Sequence, residues 1–377
     1  MRICESIVIG AGIAGLSAAA RCAKQGGVIV LEAESMPGVH SSGRSVAFLH
    51  FGIGDVLIRS LTMLSRDALR AEPNDARAPP ATTHPALFIA RANETEQFDG
   101  LEAVLRRFTP GHERLSADEA KALVPSLKTS EDGFTDALLD PDALSLDADA
   151  MLQGHVRDLR AAGGELVCDA PVKHIRRSGE HWIIETPGET YQAKRVINAA
   201  GAWVDQIAAM AGVAPIGIRP LRRTIISFAA PEGQDVIDWP FTKTIGPGFY
   251  MRPEGSSRLL ASALDETLLE PCDASTDEMD IAIAADQIQQ GTDIPIRRIE
   301  HSWAGLRSFA PDNHPVIGYD GAAPGFFWLA GQGGYGLQTS PALARAAEAL
   351  VYDLDWPEDL AGMNISPADL SPDRLTR

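Results

Sequence analysis

Residues Ser6 to Glu34 read SIVIGAGIAGLSAAARCAKQGGVIVLEAE, and the fold follows from this stretch. The apolar run Ser6 to Ile9 meets the glycine-rich GAGIAG of Gly10 to Gly15. A small, apolar helical pattern runs from Leu16 to Ala23, and a second apolar run, Val28 to Leu31, ends at Glu32. Strand, tight turn, helix and strand within about thirty residues open a parallel dinucleotide-binding sheet. Gly10 permits the turn, Gly12 lets a pyrophosphate approach the backbone, and Gly15 lets the helix pack against the strand. Helix-terminal N–H groups then face the phosphates. Glu32 lies 22 residues beyond Gly10, where a carboxylate accepts hydrogen bonds from adenosine ribose hydroxyls and repels a 2′-phosphate.

At 377 residues the chain exceeds the size at which one hydrophobic core keeps growing, so two domains are expected. Hydrophobic residues are 45% and charged residues 22%, the balance of a folded protein rather than of disorder or a coiled coil. The 33 basic and 51 acidic side chains leave a net charge of -18, which excludes long-range attraction to nucleic acid or an anionic membrane. Basic pairs such as Arg222-Arg223 are therefore local devices. Cys4, Cys22, Cys168 and Cys272 have no paired CxxC spacing, which argues against a zinc or iron–sulfur site, and no metal is expected. No apolar stretch reaches the length of about 18 residues that a membrane helix needs. The N-terminus starts a strand without a cleavable leader, and a soluble cytoplasmic protein is the expectation.

Further along, residues 55–71 have helical apolar spacing that stops around Pro79-Pro80, and the insertion from Ala71 to His84 has no clear pattern. Ala86 to Arg91 reads as a strand, residues 95–108 as a helix, and Ser116 to Leu123 as a helix with a capping box, Ser116 to Glu119. A helix over Asp147 to Ala162 leads through Gly163-Gly164 into strands at Glu165 to Val167, Trp182 to Glu185 and Arg195 to Ala200. Runs at Thr224 to Phe228, Gly248 to Arg252 and Arg258 to Ala263 resemble antiparallel strands, with a helix over Asp277 to Gln289. A last strand, Phe326 to Leu329, meets a second glycine cluster before a helix from Ser340 to Leu350. Glycine clusters between strand and helix at both ends of the chain predict one site assembled from distant segments.

An ordered set of motifs then stands out: VIGAGIAG at Val8 to Gly15, VLEAE at Val30 to Glu34, GVHSSGRS at Gly38 to Ser45, INAAGAW at Ile197 to Trp203, HSWAGLRSFAPD at His301 to Asp312 and AGQGGYGLQTSPA at Ala330 to Ala342. Over almost its whole length the chain resembles the flavoproteins of the D-amino acid oxidase and glycine oxidase superfamily, with D-arginine dehydrogenases as the nearest pattern. The resemblance implies an α/β fold, an FAD-binding Rossmann-like domain joined to a second α+β substrate domain built on an antiparallel sheet. The expected division is discontinuous: 1–80, 150–218 and 315–365 bind FAD, 81–149 and 219–314 form the substrate domain, and 366–377 is a tail.

It also implies that Gly10, Gly12, Ile13, Ala14 and Gly15 face the pyrophosphate and that Glu32 and Ala33 hold the adenosine ribose. Ser41, Ser42, Gly43, Arg44 and Ser45 would line the middle of the cofactor, with Val172 beside adenine and Ala200, Gly201, Trp203, Gly305 and Arg307 along its course. Gly331, Gly333, Gly334, Tyr335, Gly336 and Leu337 would approach the flavin through N–H groups, where a helix start suits the negative charge near N1 and O2 of the reduced ring. Relatives with covalent flavin carry a cysteine near the LRSF stretch; Leu306-Arg307-Ser308-Phe309 has none, so noncovalent FAD is expected.

The family's carboxylate clamp transfers to Arg222, Tyr250 and Arg307, a guanidinium offering paired donors and a phenol a further neutral one. Arg223 is the weaker candidate of the basic pair, since neighbours on a strand face opposite ways. Tyr335 offers a hydroxyl or an aromatic wall, and His50 an amine-deprotonating group acting through water. Where the arginine-specific pattern has a histidine, a lid tyrosine and a glutamate, this chain has Phe48, Ile53 and Leu87. A cationic side chain would lose its partner there, so a small or apolar D-amino acid is expected. The implied reaction is hydride transfer from Cα to flavin N5, giving an imino acid that hydrolyses to a 2-oxo acid and ammonia. The electron acceptor stays open between a quinone, a carrier protein and oxygen. An N-methyl amino acid, a 2-hydroxy acid and a nonenzymatic flavoprotein are the alternatives.

Overall fold

The computed structural model describes residues 1–71, 79–130 and 133–375. The parallel strands Arg2–Ile9, Val28–Leu31 and Glu165–Val167 run side by side, with Thr190–Asn198 on the other flank of the first. Thr190–Asn198 branches: its first half pairs with the hairpin strand His181–Glu185, its second half runs parallel to Phe326–Ala330. These strands are short unbroken apolar runs because both faces are buried. Val8, Val30 and Ile197 pack under the helices Ile13–Cys22, Ala148–Ala161 and Gly336–Tyr352, while Ile7, Ile29 and Val196 pack with the helix Val204–Met210.

A nine-stranded sheet draws its strands from two chain segments, residues 86–140 and 219–309. The expected antiparallel sheet is in fact mixed. Phe241–Thr244 lies parallel to Ala86–Ala90, where the two segments meet, and the other pairs are antiparallel. A turn can join only antiparallel neighbours, so a pair formed by distant segments is free to take either direction.

Strand alternation gives this sheet two different faces. Leu87, Ile226, Met251 and Ala261 pack with Ala284 and Ile288 of the helix Glu278–Gly291. Phe88, Ile225, Phe241, Tyr250 and Leu260 form the opposite face, against Phe48 and Phe51. Three short strands, Phe48–Leu49, Leu144–Leu146 and Ala81–Thr83, form a small third sheet between the two large ones.

The helix expected from Ser340 begins four residues earlier, at Gly336, so the glycine cluster itself is its entry. The capping box at Ser116 is present, both of its reciprocal bonds included. Residues 72–78 of the Ala71 to His84 insertion, and 376–377 of the tail, lie outside the described residues. Among the described residues no helix is long and apolar enough to cross a membrane.

Candidate functional site

A groove runs past the carboxyl ends of the parallel strands, the place where an open parallel sheet leaves its backbone exposed to a ligand. Two adjoining pockets share Gly12, Ser41, Ser42, Ala199 and Gly201, so they form one groove. One end is lined by Gly10, Glu32, Ala33, Val172, Ala200 and Trp203. The other is lined by Ile13, Ala14, Arg44, Ser45, Phe48, Gly305 and Arg307, together with Gly333, Gly334, Tyr335, Gly336 and Leu337. Gly15, Gly43 and Gly331 do not line it; each packs against a backbone carbonyl, of Gly10, Gly38 and His314 respectively.

The first turn is built for close approach. Gly10 sits at φ +103°, and a Cβ there would stand 2.6 Å from the Ala199 carbonyl oxygen. The Gly10 N–H donates to the Leu31 carbonyl at 2.8 Å, tying the turn to the next strand. Glu32 accepts from the Ala11 N–H at 2.6 Å and the Glu34 N–H at 3.1 Å. The helix from Ile13 starts without a side-chain cap on its Gly12 N-cap, and Ile13 N–H donates to Ser42 Oγ at 2.9 Å. At the far end the helix from Gly336 is likewise uncapped by its N-cap residue, Tyr335. Two helix starts whose N-cap residues give no side-chain cap, with their positive dipole ends, therefore open on one groove. With a ribose-competent carboxylate at one end, these donors fit FAD.

Arg44 departs from its expected role. Its guanidinium donates to the carbonyls of Val39, Ala274 and Ala304 at 3.0–3.1 Å and meets Asp273 at 2.5 Å. Only its stem is left for the groove, and the head staples the polar loop to the nine-stranded sheet. Tyr335 Oη donates to the Asn313 carbonyl at 2.5 Å, so Tyr335 acts as a wall. Burial, followed by the charges of Asp55, Asp312 and Glu266, holds that phenol well above its usual range.

The clamp residues are sorted by strand parity. Arg222 does not reach the groove. It turns to the helix face of its sheet, 2.7 Å from Asp280, and its Nε is buried without a partner. Arg223, one residue on, faces the groove and meets Glu266 at 2.9 Å. Its pKa is pushed down to about 10, first by burial and then by the charge of Arg307, with Tyr250 acting in the opposite sense. A shift of one residue carries a strand side chain to the other face, and that is the reason for the correction. Arg307 shares the groove face. Gly334 leaves room for it, a Cβ there standing 3.2 Å from Arg307 Cδ. Tyr250 Oη is buried and has no hydrogen-bond partner among the described residues.

The same parity displaces Leu87, which is fully buried on the helix face; Ile53, in a bend rather than a strand, packs with the core under the helices Ile13–Cys22 and Gly336–Tyr352. Only Phe48 of that trio lines the groove. His50 lies behind it, stacked on Phe241 at 5.0 Å and accepting from the Gly52 N–H at Nδ1. Burial, then the charges of Lys243, Arg307 and Arg59, push its pKa down to about 3. His50 is therefore neutral at pH 7 and a poor proton acceptor. Lys243, which motif spacing did not single out, shares this face: in register it stands opposite both Phe88 and Tyr250. A lysine at strand spacing from Phe241, in the β-favouring run Phe241 to Ile245, was the available signal.

A flavoprotein oxidoreductase is the class that this groove and these sheets fit. Residues 5–350 match the model of the DAO family, described as FAD dependent oxidoreductase, and the chain belongs to that family. It is 24% identical to glycine oxidase of Bacillus subtilis (strain 168) over 55% of this chain and 54% of that protein. It is 26% identical to FAD-dependent oxidoreductase domain-containing protein 1 of Xenopus laevis over 53% of this chain and 44% of that protein. The matched regions span about half the length of these curated relatives.

In fold it is similar to L-α-glycerophosphate oxidase from Mycoplasma pneumoniae, solved with FAD bound, at TM-score 0.84 and 18% identity, covering 95% of this chain and 96% of that one. It is also similar to glycine oxidase from Geobacillus kaustophilus, at TM-score 0.80 and 19% identity, covering 97% and 99%. The chain is an FAD-dependent oxidoreductase of mixed α/β fold.

Proposed function

We propose that this enzyme oxidises the CH–NH bond of an amino acid, of D configuration in the reading that the sequence motifs support, with the substrate carboxylate held by Arg307, Arg223 and Tyr250. The observation that carries the reading is the placement of those three side chains on one sheet face beside the glycine-framed helix start at Gly336. Among the described residues the buried Tyr250 phenol has no hydrogen-bond partner and the Arg307 guanidinium no acid partner, which suits an incoming carboxylate.

The groove residues divide the cofactor between them. The Ile13 helix start takes the pyrophosphate, Glu32 the adenosine ribose, Val172 and Trp203 the adenine end, and the Gly336 helix start the pyrimidine edge of the flavin. The Leu306 to Phe309 stretch carries no cysteine, which supports noncovalent attachment; Cys272 stands in a small pocket beside the groove with His40, Ser41, Arg44 and Gly305, away from the Gly336 helix start. When bound, FAD supplies the hydride acceptor at N5. The chain's own residues hold Cα in position, and Phe48 and Ile225 keep the face dry, which is what hydride transfer requires. A 2-hydroxy acid would need a positioned base for its hydroxyl. His50, with a pKa near 3, does not supply one.

Anaerobic mixing of the yellow protein with D- and L-amino acids, sarcosine and 2-hydroxy acids, followed by flavin bleaching, tests the reading. Bleaching by an amino acid is expected; bleaching by 2-hydroxy acids alone, or by nothing, overturns it.

A further inference from the structure

We propose that Lys243 is the receptor for a second anionic group, so that the substrate of this site is an amino acid carrying two carboxylates. The inference rests on the amino acid reading above and names its substrate class. Lys243 stands in register opposite Tyr250 and Phe88 on adjoining strands, and alternation puts its side chain on the same face as Arg223 and Arg307. Its ammonium donates to the Thr244 carbonyl at 3.0 Å, and among the described residues neither Lys243 nor Arg307 has a carboxylate within salt-bridge distance. Arg222, by contrast, has two, Asp277 and Asp280, and Arg223 has one, Glu266.

Electrostatics agrees with the geometry. Burial and then the charge of Arg223 push the Lys243 ammonium down to about 8, with Glu94 opposing, and the same ammonium is the largest charge acting on His50. A chain of net charge -18 has thus gathered Arg223, Lys243 and Arg307 around one face and supplied Glu266 to Arg223 alone by direct contact. An aliphatic side chain would leave the half-buried Lys243 ammonium with the Thr244 carbonyl as its hydrogen-bond partner and with no carboxylate in salt-bridge distance among the described residues, a desolvation cost that a carboxylate offsets.

The long side chains converge from different strands. Lys243 is one strand from Tyr250 and three from Arg223, yet the charge of Arg223 acts on Lys243, and those of Lys243 and Arg307 act together on His50, so one small molecule can meet all three cations. The second carboxylate has two chemical sources, the side chain or a carboxymethyl group on nitrogen.

Flavin bleaching and steady-state turnover with each enantiomer of glutamate against glutamine and of aspartate against asparagine test the first source. Iminodiacetate against sarcosine tests the second. The acid should exceed its neutral partner in kcat/KM by about 10²-fold or more in one arm, on the scale of a desolvated charge pair. Lys243→Met should collapse that ratio toward one and Lys243→Arg should retain most of it, with flavin content checking that each variant is folded.

A neutral partner that equals or exceeds the acid in every arm of the unmodified enzyme overturns the proposal while leaving the amino acid reading standing. A ratio unchanged in a folded Lys243→Met overturns it as well, because a lysine acting as a general base would lower both substrates alike. Absence of bleaching by every amine in the panel overturns the reading on which the proposal rests.

Discussion

The two ends of the groove are built to hold negative charge by opposite means. At the nucleotide end the donors are backbone N–H groups at a helix start, supplied by a turn that only glycine can make. At the substrate end the donors are side chains, Arg223 and Arg307, with Lys243 proposed beside them, projected from a sheet whose backbone groups are already paired. The first device belongs to the fold and is lost only when the turn is lost. The second is modular, since each cation can be deleted without changing the strands. The contrast predicts that substitutions at the nucleotide end fail through folding and cofactor retention, and those at the substrate end through turnover.

The largest expected effect is at Gly10. Gly10→Ala forces a side chain onto φ +103° and into the Ala199 carbonyl, a strain of about 3 kcal/mol or more. The variant should be purified with little or no flavin and with a melting temperature well below that of the parent. Full flavin content would show that the turn is more pliable than this geometry allows and would dissolve the contrast.

Next comes a comparison within the substrate sheet. Arg307→Met and Arg223→Met should retain FAD yet lower kcat/KM for the preferred amino acid by about 10²-fold or more. Arg222→Met should keep kcat/KM within about threefold and instead lose about 2–3 kcal/mol of stability, because it strips Asp280 of its partner in a largely buried pair. Turnover lost equally at positions 222 and 223 would mean that strand parity does not divide the clamp.

The same contrast explains what the sequence made legible. Turn, helix and carboxylate at Gly10 to Glu32 are local in sequence, and each residue's placement follows from its neighbours, so the course of the groove can be read along the chain. Facing on the nine-stranded sheet cannot be read that way. Arg222 and Arg223 are equally plausible until the register with His301–Phe309 is known, and Leu87 is an apolar residue on either face. Lys243 depends on a strand, Phe241–Thr244, whose parallel partner lies about 150 residues earlier, a pairing that no local pattern encodes.

The smallest expected effect concerns His50, which records the same cluster of cations as a dependence of stability on pH. Its folded pKa is lowered from 6.5 to about 3, by burial first and then by Lys243, Arg307 and Arg59. Between those two values the unfolded chain binds a proton that the folded chain refuses, so this group's contribution to stability rises with pH across the window and falls on acidification below about 6.5. One proton refused between pH 6.5 and 5 amounts to at most roughly 2 kcal/mol. His50→Gln removes the titrating group and can still accept from the Gly52 N–H. Whatever packing it loses at pH 7.5, the stability gap between parent and variant should close, or reverse, as the pH is lowered to 5. Denaturant titrations at both values measure that gap. A gap independent of pH would place the His50 ring in contact with water or an unseen carboxylate, and the crowding of positive charge on this face of the sheet would then be weaker than the cluster of Arg223, Lys243 and Arg307 implies.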